Sequence, residues 1–387
     1  MSPHNTETEV LIIGGGAAGL STAAALAKRG IRSTILEKDD HIGGSWTRRY
    51  QTLKLHTIRQ FSGLAHYPIP NNFPRYLSKD QYANYLVEYA QKQGLNISFG
   101  ESVHTVQQNS QSSNKVEWNV ETNQGIWKTK ILVIATGQHA EACIPTWECL
   151  DRFTGTVLHS SQYKSGAAFS GKKVLVVGLG NSGAEIAADL VTNGASHVSI
   201  SVRTTPPIVS REMFGVVPVQ LLGIALMPMG IPQVIDRINT MIRRISIGDL
   251  TRCGLNKAEW GPFSARRPAV IDTGFVKQLK QTNILVRPEI ARFDSEGVIY
   301  KDGSKETLDV VISATGFRTG LEKILKVPDA IGGNGKPRFS SGRPTSSSGL
   351  YFIGFDETVR GQLFEINRES KQLAAEIDGY LQRCIHA

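Results

Sequence analysis

Two short apolar runs in this chain are each followed at once by three glycines in the same spacing. Val10 to Ile13 leads into Gly14-x-Gly16-x-x-Gly19, and Val174 to Val177 leads into Gly178-x-Gly180-x-x-Gly183. A brief β-favouring run bounded by glycine reads as a strand buried on both faces, the habit of parallel sheets. In such a turn the first glycine permits the tight bend, the second admits a pyrophosphate to the backbone, and the third lets the helix pack close to the strand. The free N–H groups and positive pole of the following helix suit a diphosphate. The chain is therefore read as α/β, with two Rossmann-like dinucleotide-binding domains.

The strand ends separate the two units. In the first, a helix from Ala17 to Arg29 stops at Gly30, and a strand from Ser33 to Leu36 delivers Glu37, the acid that binds ribose hydroxyls. In the second, the helix continues through Ala184 to Val191, and a strand from His197 to Val202 delivers Arg203. An arginine there pairs with a 2′-phosphate and removes the repelling carboxylate, which predicts NADPH rather than NADH.

At 387 residues the chain exceeds a single ordinary core. Its net charge of +9 is spread over scattered Lys and Arg, with no long run, so nucleic acid is not an expected partner. Cys143, Cys149, Cys253 and Cys384 form no CxxC pair and no metal-like spacing, which argues against zinc and a dithiol centre. They fit a reducing, cytoplasmic setting. The polar start MSPHNTETE lacks the pattern of a secretory signal. The apolar stretch from Val216 to Ile235 is broken by Pro218, Pro228 and Pro232 and falls short of a membrane span. It reads as a pocket lining or short helical cover, with shallow membrane contact as the lesser alternative.

Between the glycine turns, Gly43-Gly44-Ser45-Trp46 implies a loop whose backbone is closely approached. Tyr50 to Pro74 is an irregular stretch holding His56, Arg59 and His66, and long loops of this kind are usually functional. Asp80 to Gln93 reads as an amphipathic helix, followed by strands at Asn96 to Phe99, Val116 to Val120, Ile126 to Lys128 and Ile131 to Ile134. Gln107 to Lys115 reads as a hairpin-like loop. Ala135-Thr136-Gly137 and Ser313-Ala314-Thr315-Gly316-Phe317 are small-residue turns after apolar strands, placed to lie against a cofactor. Residues 206–268 depart from α/β rhythm and carry a helix from Gln233 to Arg244; Ile271 to Lys280 reads as a further helix. A last strand, Leu350 to Ile353, precedes a closing helix from Gly361 to Leu381. The expected division is a first domain over 1–165, an inserted domain over 166–315 with a pocket-building insertion at 206–268, and completion of the first domain by 316–387.

The segment Phe153-x-Gly155-x-x-x-His159-x-x-x-Tyr163 resembles the identifying motif of flavin-containing monooxygenases, and the glycine turns flank it on the correct sides. Within that family LKLHTIRQF, FPRYLSKDQYANYLVEYA, VLVVGLGNSGAEIAADL, SREMFG and ISATGF are similar to the YUCCA branch. The resemblance implies FAD at the first site and NADPH at the second. Carried over, Gly14, Gly16, Gly19 and Glu37 hold FAD, with Gly44 and Trp46 near the flavin. Gly178, Gly180, Asn181, Ser182, Gly183 and Arg203 hold NADPH. The remaining cofactor contacts implied are Lys38, His56, Val103, the turns Ala135-Thr136-Gly137 and Ala314-Thr315-Gly316, and Gln362. Family members commonly carry a TN-x-P-K run near the flavin; here it reads Leu55-His56-Thr57-Ile58-Arg59, with His56 in place of the Asn and Ile58 in place of the Pro.

The same resemblance implies hydride transfer from NADPH to flavin, reaction with dioxygen, and a flavin C4a-(hydro)peroxide. An anionic peroxide attacks the carbonyl of a 2-oxo acid; a neutral one oxygenates an amine or sulfide. His56 and Arg59 are the candidate catalytic residues, since a neighbouring cation favours the anion and an arginine binds a carboxylate. The expected activity is oxidative decarboxylation of an aryl 2-oxo acid such as indole-3-pyruvate. N- or S-oxygenation and a plain NADPH–flavin reductase or oxidase are the alternatives. Expected partners are NADPH, dioxygen and a small-molecule substrate, with no metal; assembly as a homodimer is left open.

Overall fold

The structure, a computed structural model, describes residues 4–109, 117–213, 215–356 and 358–386. Most of the hairpin-like loop expected at Gln107 to Lys115 lies outside them. The chain begins with β1 (His4–Ile13), α1 (Ala17–Ala27), β2 (Ser33–Glu37), the short α2 (Gly44–Thr47) and α3 (Lys79–Lys92). β3 (Asn96–Phe99), β4 (Val103–Asn109), β5 (Glu117–Thr122) and β6 (Gly125–Ile134) complete its first half. These strands form one sheet in the order β3-β2-β1-β6-β5-β4, parallel from β3 to β6 and antiparallel beyond.

A second sheet is wholly parallel. Its strands are β7 (Thr156–His159), β8 (Lys173–Val177), β9 (His197–Ser201), β10 (Leu285–Arg287) and β11 (Val310–Ser313), ordered β10-β9-β8-β11-β7. Its helices include α4 (Asn181–Thr192), which follows the second glycine turn. The insertion supplies α5 (Val219–Leu226) and α6 (Pro232–Ser246), and α7 (Phe275–Lys280) follows it. The chain then returns to the first sheet: β12 (Leu350–Phe352) pairs in parallel with the end of β6, and α8 (Gln362–His386) packs on α1.

Both sheets bury both faces, which is why their central strands are continuously apolar rather than alternating. Val10 and Ile12 face a cluster with α1, α3 and α8; Leu11 and Ile13 face another with Trp118 and Phe352. In β8, Val174 and Val176 pack with α4, and Leu175 and Val177 pack with Phe293 and Tyr300. The alanines of α1 are small because α8 lies close, and Ser21 Oγ meets Ser370 Oγ across that contact at 2.7 Å.

The two glycine turns repeat one another bond for bond. Gly14 N–H donates to Leu36 O at 2.8 Å, and Gly178 N–H donates to Ser201 O at 2.9 Å. Ala135 N–H donates to Ile13 O at 2.9 Å, and Ala314 N–H to Val177 O at 2.8 Å. A Cβ on Gly14 would sit 2.7 Å from Ala135 O, and one on Gly178 2.8 Å from Ala314 O. A Cβ on Gly19 would lie 1.9 Å from Gly14 O, and one on Gly183 2.0 Å from Gly178 O. These approaches explain why the first and third glycines are required, and why each turn faces a small-residue turn from a neighbouring strand.

Several local expectations change. Gly43-Gly44-Ser45-Trp46 is the start of a helical turn rather than an open loop. Ile126 to Ile134 is one strand, because Thr129 and Lys130 keep the extended register against β1. Ile271 to Lys280 divides into a strand, Val270–Asp272, and then α7; the Asp272 carboxylate accepts from Val276 N–H and starts the helix. The Phe153 to Tyr163 segment contains an edge strand, β7. Ile290–Phe293, Gly297–Tyr300 and Lys305–Thr307 form a three-stranded antiparallel sheet.

The helix α6 is turned outward. Val234, Ile238, Met241 and Ile245 recur at helical spacing and are exposed, Met241 and Ile245 at 66% each. Its inner side uses Asp236, which accepts from Phe263 N–H and Ser264 N–H. Among the described residues no helix is long and apolar enough to cross a membrane.

Two stability measurements test this packing. Phe352→Ala removes a side chain with no solvent exposure and is expected to cost about 3–5 kcal/mol in denaturant unfolding, whereas Ile238→Ser on the outward stripe stays within about 0.5 kcal/mol. Gly19→Ala forces the first turn apart and is expected to abolish retention of the bound dinucleotide at that turn, read by absorbance after desalting; full retention would contradict the close approach.

Candidate active site

The first cradle is built around Glu37. Its Oε2 accepts Gly15 N–H at 2.7 Å and its Oε1 accepts Asp39 N–H at 3.0 Å, so two backbone donors aim the carboxylate at the turn. Each oxygen retains lone pairs for hydroxyl donors. Gly16 starts α1 with no side-chain cap, and the space beside its Cα is open. Thr136 Oγ1, in the opposing turn, is buried and unpartnered among the described residues. Uncapped helix N–H groups, open space and an unpaired hydroxyl fit a dinucleotide. Gln362 opens α8 and donates from Nε2 to Gly354 O at 2.7 Å, beside α1. Lys38 is exposed just past β2, and Val103 is half-buried at the start of β4.

The second cradle shares the backbone but not the side chains. Gly180 starts α4 uncapped, with open space at its Cα. Asn181 is pinned, its Oδ1 accepting Ile271 N–H at 2.8 Å. Thr315, the counterpart of Thr136, is satisfied: its hydroxyl meets Ser313 Oγ at 2.7 Å and donates to Cys143 O. Arg203 lies exposed beyond the end of β9, with no hydrogen bond or ion pair among the described residues. An exposed, unengaged guanidinium at that strand end suits an added phosphate.

The Phe153 to Tyr163 motif braces the second cradle. Ser161 N–H donates to His159 Nδ1 at 3.1 Å, so the ring carries its proton on Nε2 and donates to Gly316 O at 2.9 Å. Burial holds the His159 pKa below its ordinary value and keeps the ring neutral. The ring also meets Phe317 edge-on at 4.8 Å. Tyr163 O–H donates to Asp189 on α4 at 2.6 Å. Gly155 is squeezed between the Phe153 ring and Asp309 O, where a Cβ would come within 2.5 Å of both.

Between the cradles, the segment after α2 crosses from one core to the other. Tyr50 belongs to the cluster around α4, and Leu55 to the cluster around α1. Here Glu185 of α4 receives two partners: Tyr50 O–H donates to Oε2 at 2.5 Å, and His56 Nε2 lies 3.1 Å from Oε1. Burial pushes the Glu185 carboxyl up to about 7, against the lowering effects of the Tyr50 bond and the Arg211 charge. Burial, helped by Arg211, pushes His56 down to about 4. With the imidazole neutral, the 3.1 Å approach is a close contact and not an ion pair. His56 Nδ1 is buried with no partner among the described residues.

Arg59 is tied to its loop by a bond from Nη1 to Phe73 O, and its Nε is buried with no partner among the described residues. Gln220 of α5 clamps the insertion to this region, accepting Ile58 N–H at 2.8 Å and donating to Arg360 O at 2.9 Å. Trp46 meets Tyr82 of α3 edge-on at 4.7 Å, and Gly44 is approached by the Asp39–Arg48 ion pair. Tyr50, Glu185 and Gln220 were not anticipated. The available signal was the charge of Glu185 in a helix otherwise lined by Ala184, Ile186, Ala187 and Leu190, all buried.

Residues 7–323 match the family described as flavin-binding monooxygenase-like. Indole-3-pyruvate monooxygenase YUCCA1 of Oryza sativa subsp. japonica is 35% identical over 370 residues, covering 91% of this chain and 87% of that protein. Probable indole-3-pyruvate monooxygenase YUCCA3 of Arabidopsis thaliana is 34% identical over 383 residues, covering 95% and 86%. A solved flavin-containing monooxygenase from Stenotrophomonas maltophilia has the same two-domain Rossmann-type fold, with a TM-score of 0.76 at 22% identity over 97% of this chain and 99% of that one. With both cradles fitting dinucleotides, the chain belongs to the flavin-binding monooxygenase family, as a monooxygenase whose cofactors are FAD and NADPH.

Proposed function

We propose that FAD lies on the Gly14 turn and NADPH on the Gly178 turn, and that the enzyme oxidatively decarboxylates an aryl 2-oxo acid such as indole-3-pyruvate to the arylacetic acid. The similarity to named indole-3-pyruvate monooxygenases over more than nine-tenths of the chain carries this reading. The balanced reaction consumes the 2-oxo acid, dioxygen, NADPH and a proton, and yields the arylacetic acid, carbon dioxide, water and NADP. Bound reduced flavin supplies the activation of dioxygen, so the protein's own tasks are binding, orientation and control of protons.

Glu37, Thr136 and the uncapped start of α1 hold FAD; Arg203 and the uncapped start of α4 hold NADPH. On this reading the expected boundary at 165 moves ahead of β7, which pairs with β11 in the second sheet: the residues before Thr156 together with 316–387 form the FAD domain, and the chain from Thr156 to 315 forms the NADPH domain. His56 addresses the reacting group through its unpartnered Nδ1. The buried, unpartnered Nε of Arg59 gives the substrate carboxylate a charged donor. The insertion at 206–268, anchored through Gln220, covers the substrate.

A panel of aryl 2-oxo acids, amines and sulfides, each supplied with NADPH to the FAD-loaded enzyme, tests the substrate class. One carbon dioxide and one arylacetic acid per NADPH are expected with a 2-oxo acid. Absence of arylacetate from every 2-oxo acid would overturn the reading, and N-oxide or sulfoxide products would establish oxygenation of amines or sulfides instead. Arg203→Ala is expected to raise KM for NADPH roughly 10- to 100-fold, the worth of a charge-assisted hydrogen bond, with KM for NADH unchanged.

A further inference from the structure

We propose that Glu185 is a positioning residue for the monooxygenase reaction: its carboxyl group, 3.1 Å from His56 Nε2, decides whether Nδ1 is a donor or an acceptor, and it returns to the ring the proton that Nδ1 gives up. The inference rests on the reading that His56 Nδ1 addresses the reacting group.

The geometry defines two states. With Glu185 ionised, Oε2 accepts from Tyr50, and the negative Oε1, 3.1 Å from Nε2, favours the ring proton on that nitrogen, which leaves Nδ1 as a bare acceptor. With Glu185 protonated, Tyr50 still donates to Oε2, the carboxyl O–H donates to Nε2, and Nδ1 carries the hydrogen. Moving from the second state to the first breaks one O–H and one Nδ1–H bond and forms one Nε2–H bond; one proton leaves at Nδ1. The imidazole is neutral at both ends, as its burial demands.

The surroundings keep this exchange near neutrality. Tyr50 remains a protonated donor, because burial and the neighbouring Glu185 raise its pKa far above the usual range. Ser182, on α4, and Arg49 both lie beside Tyr50 and partly offset that rise. Arg211, stacked over the Tyr76 ring at 4.2 Å, acts on both His56 and Glu185. These groups oppose the burial of the carboxyl without cancelling it, so a single proton on Glu185 is gained or lost around pH 7. The device spans the two dinucleotide units, since Glu185 belongs to the helix behind the second glycine turn and His56 to the loop between them.

The test follows the nitrogen shifts of His56 in FAD- and NADP-bound enzyme carrying 15N-histidine, assigned by comparison with His56→Gln. Between about pH 6 and about pH 8.5 the wild type is expected to pass from Nδ1–H to Nε2–H. In Glu185→Gln that pH-linked exchange disappears, and turnover of the 2-oxo acid falls roughly 100-fold, the range of a lost acid–base partner. In Tyr50→Phe, which removes a bond favouring the carboxylate, the midpoint moves upward. Retained FAD absorbance and an unchanged melting profile identify folded variants. A wild-type ring that keeps one tautomer throughout, or an unchanged exchange in Glu185→Gln, would overturn the relay. Wild type that shows the exchange but gives no arylacetate refutes the substrate reading alone.

Discussion

At each dinucleotide turn, backbone meets backbone where no side chain fits. Gly19 and Gly183 bring a helix onto the carbonyl of the first glycine of its own turn, and Gly14 and Gly178 face the carbonyls of Ala135 and Ala314. This crowding lets α1 and α4 approach their strands more closely than any side chain would allow. It also aims the uncapped helix starts at one spot, between the turn and a neighbouring small-residue turn. Packing, phosphate recognition and the placement of Glu37 follow from that single geometric demand.

The chain discloses some of this and conceals the rest for physical reasons. Glycine spacing, apolar strands and the residue at each second strand end are local, so both cradles and the contrast between Glu37 and Arg203 can be read along the sequence. The split at Asp272 is less visible, because an aspartate start and an apolar strand share one short window. The junction of Tyr50, His56 and Glu185 is not visible at all as a unit. Its members lie up to 135 positions apart, and only the packing of the segment after α2 against α4 brings them together. His56 was singled out; its partner was not, because nothing in the local pattern says which face of α4 meets the other unit.

That junction also departs from what stability alone favours. Buried polar groups seldom strengthen a fold relative to apolar packing of equal volume. Here a carboxyl, a phenol and an imidazole are enclosed together, with one nitrogen that has no partner among the described residues. The second turn shows the opposite treatment: the Thr315 hydroxyl, Asn181 Oδ1 and both His159 ring nitrogens are engaged. The contrast separates a braced scaffold around the second cradle from polar atoms held in reserve at the first cradle and between the two.

The return of the chain at β12 has a consequence for how the protein is made. The first sheet is built from the opening strands, yet its β6 edge and the cover over α1 come from residues 350–386. On a ribosome the second sheet, complete by residue 313, emerges with all its strands before those pieces exist. The first unit must therefore wait, half-covered, while the second folds beside it. Domains generally fold as units during synthesis; in this molecule the unit begun first is the one closed last.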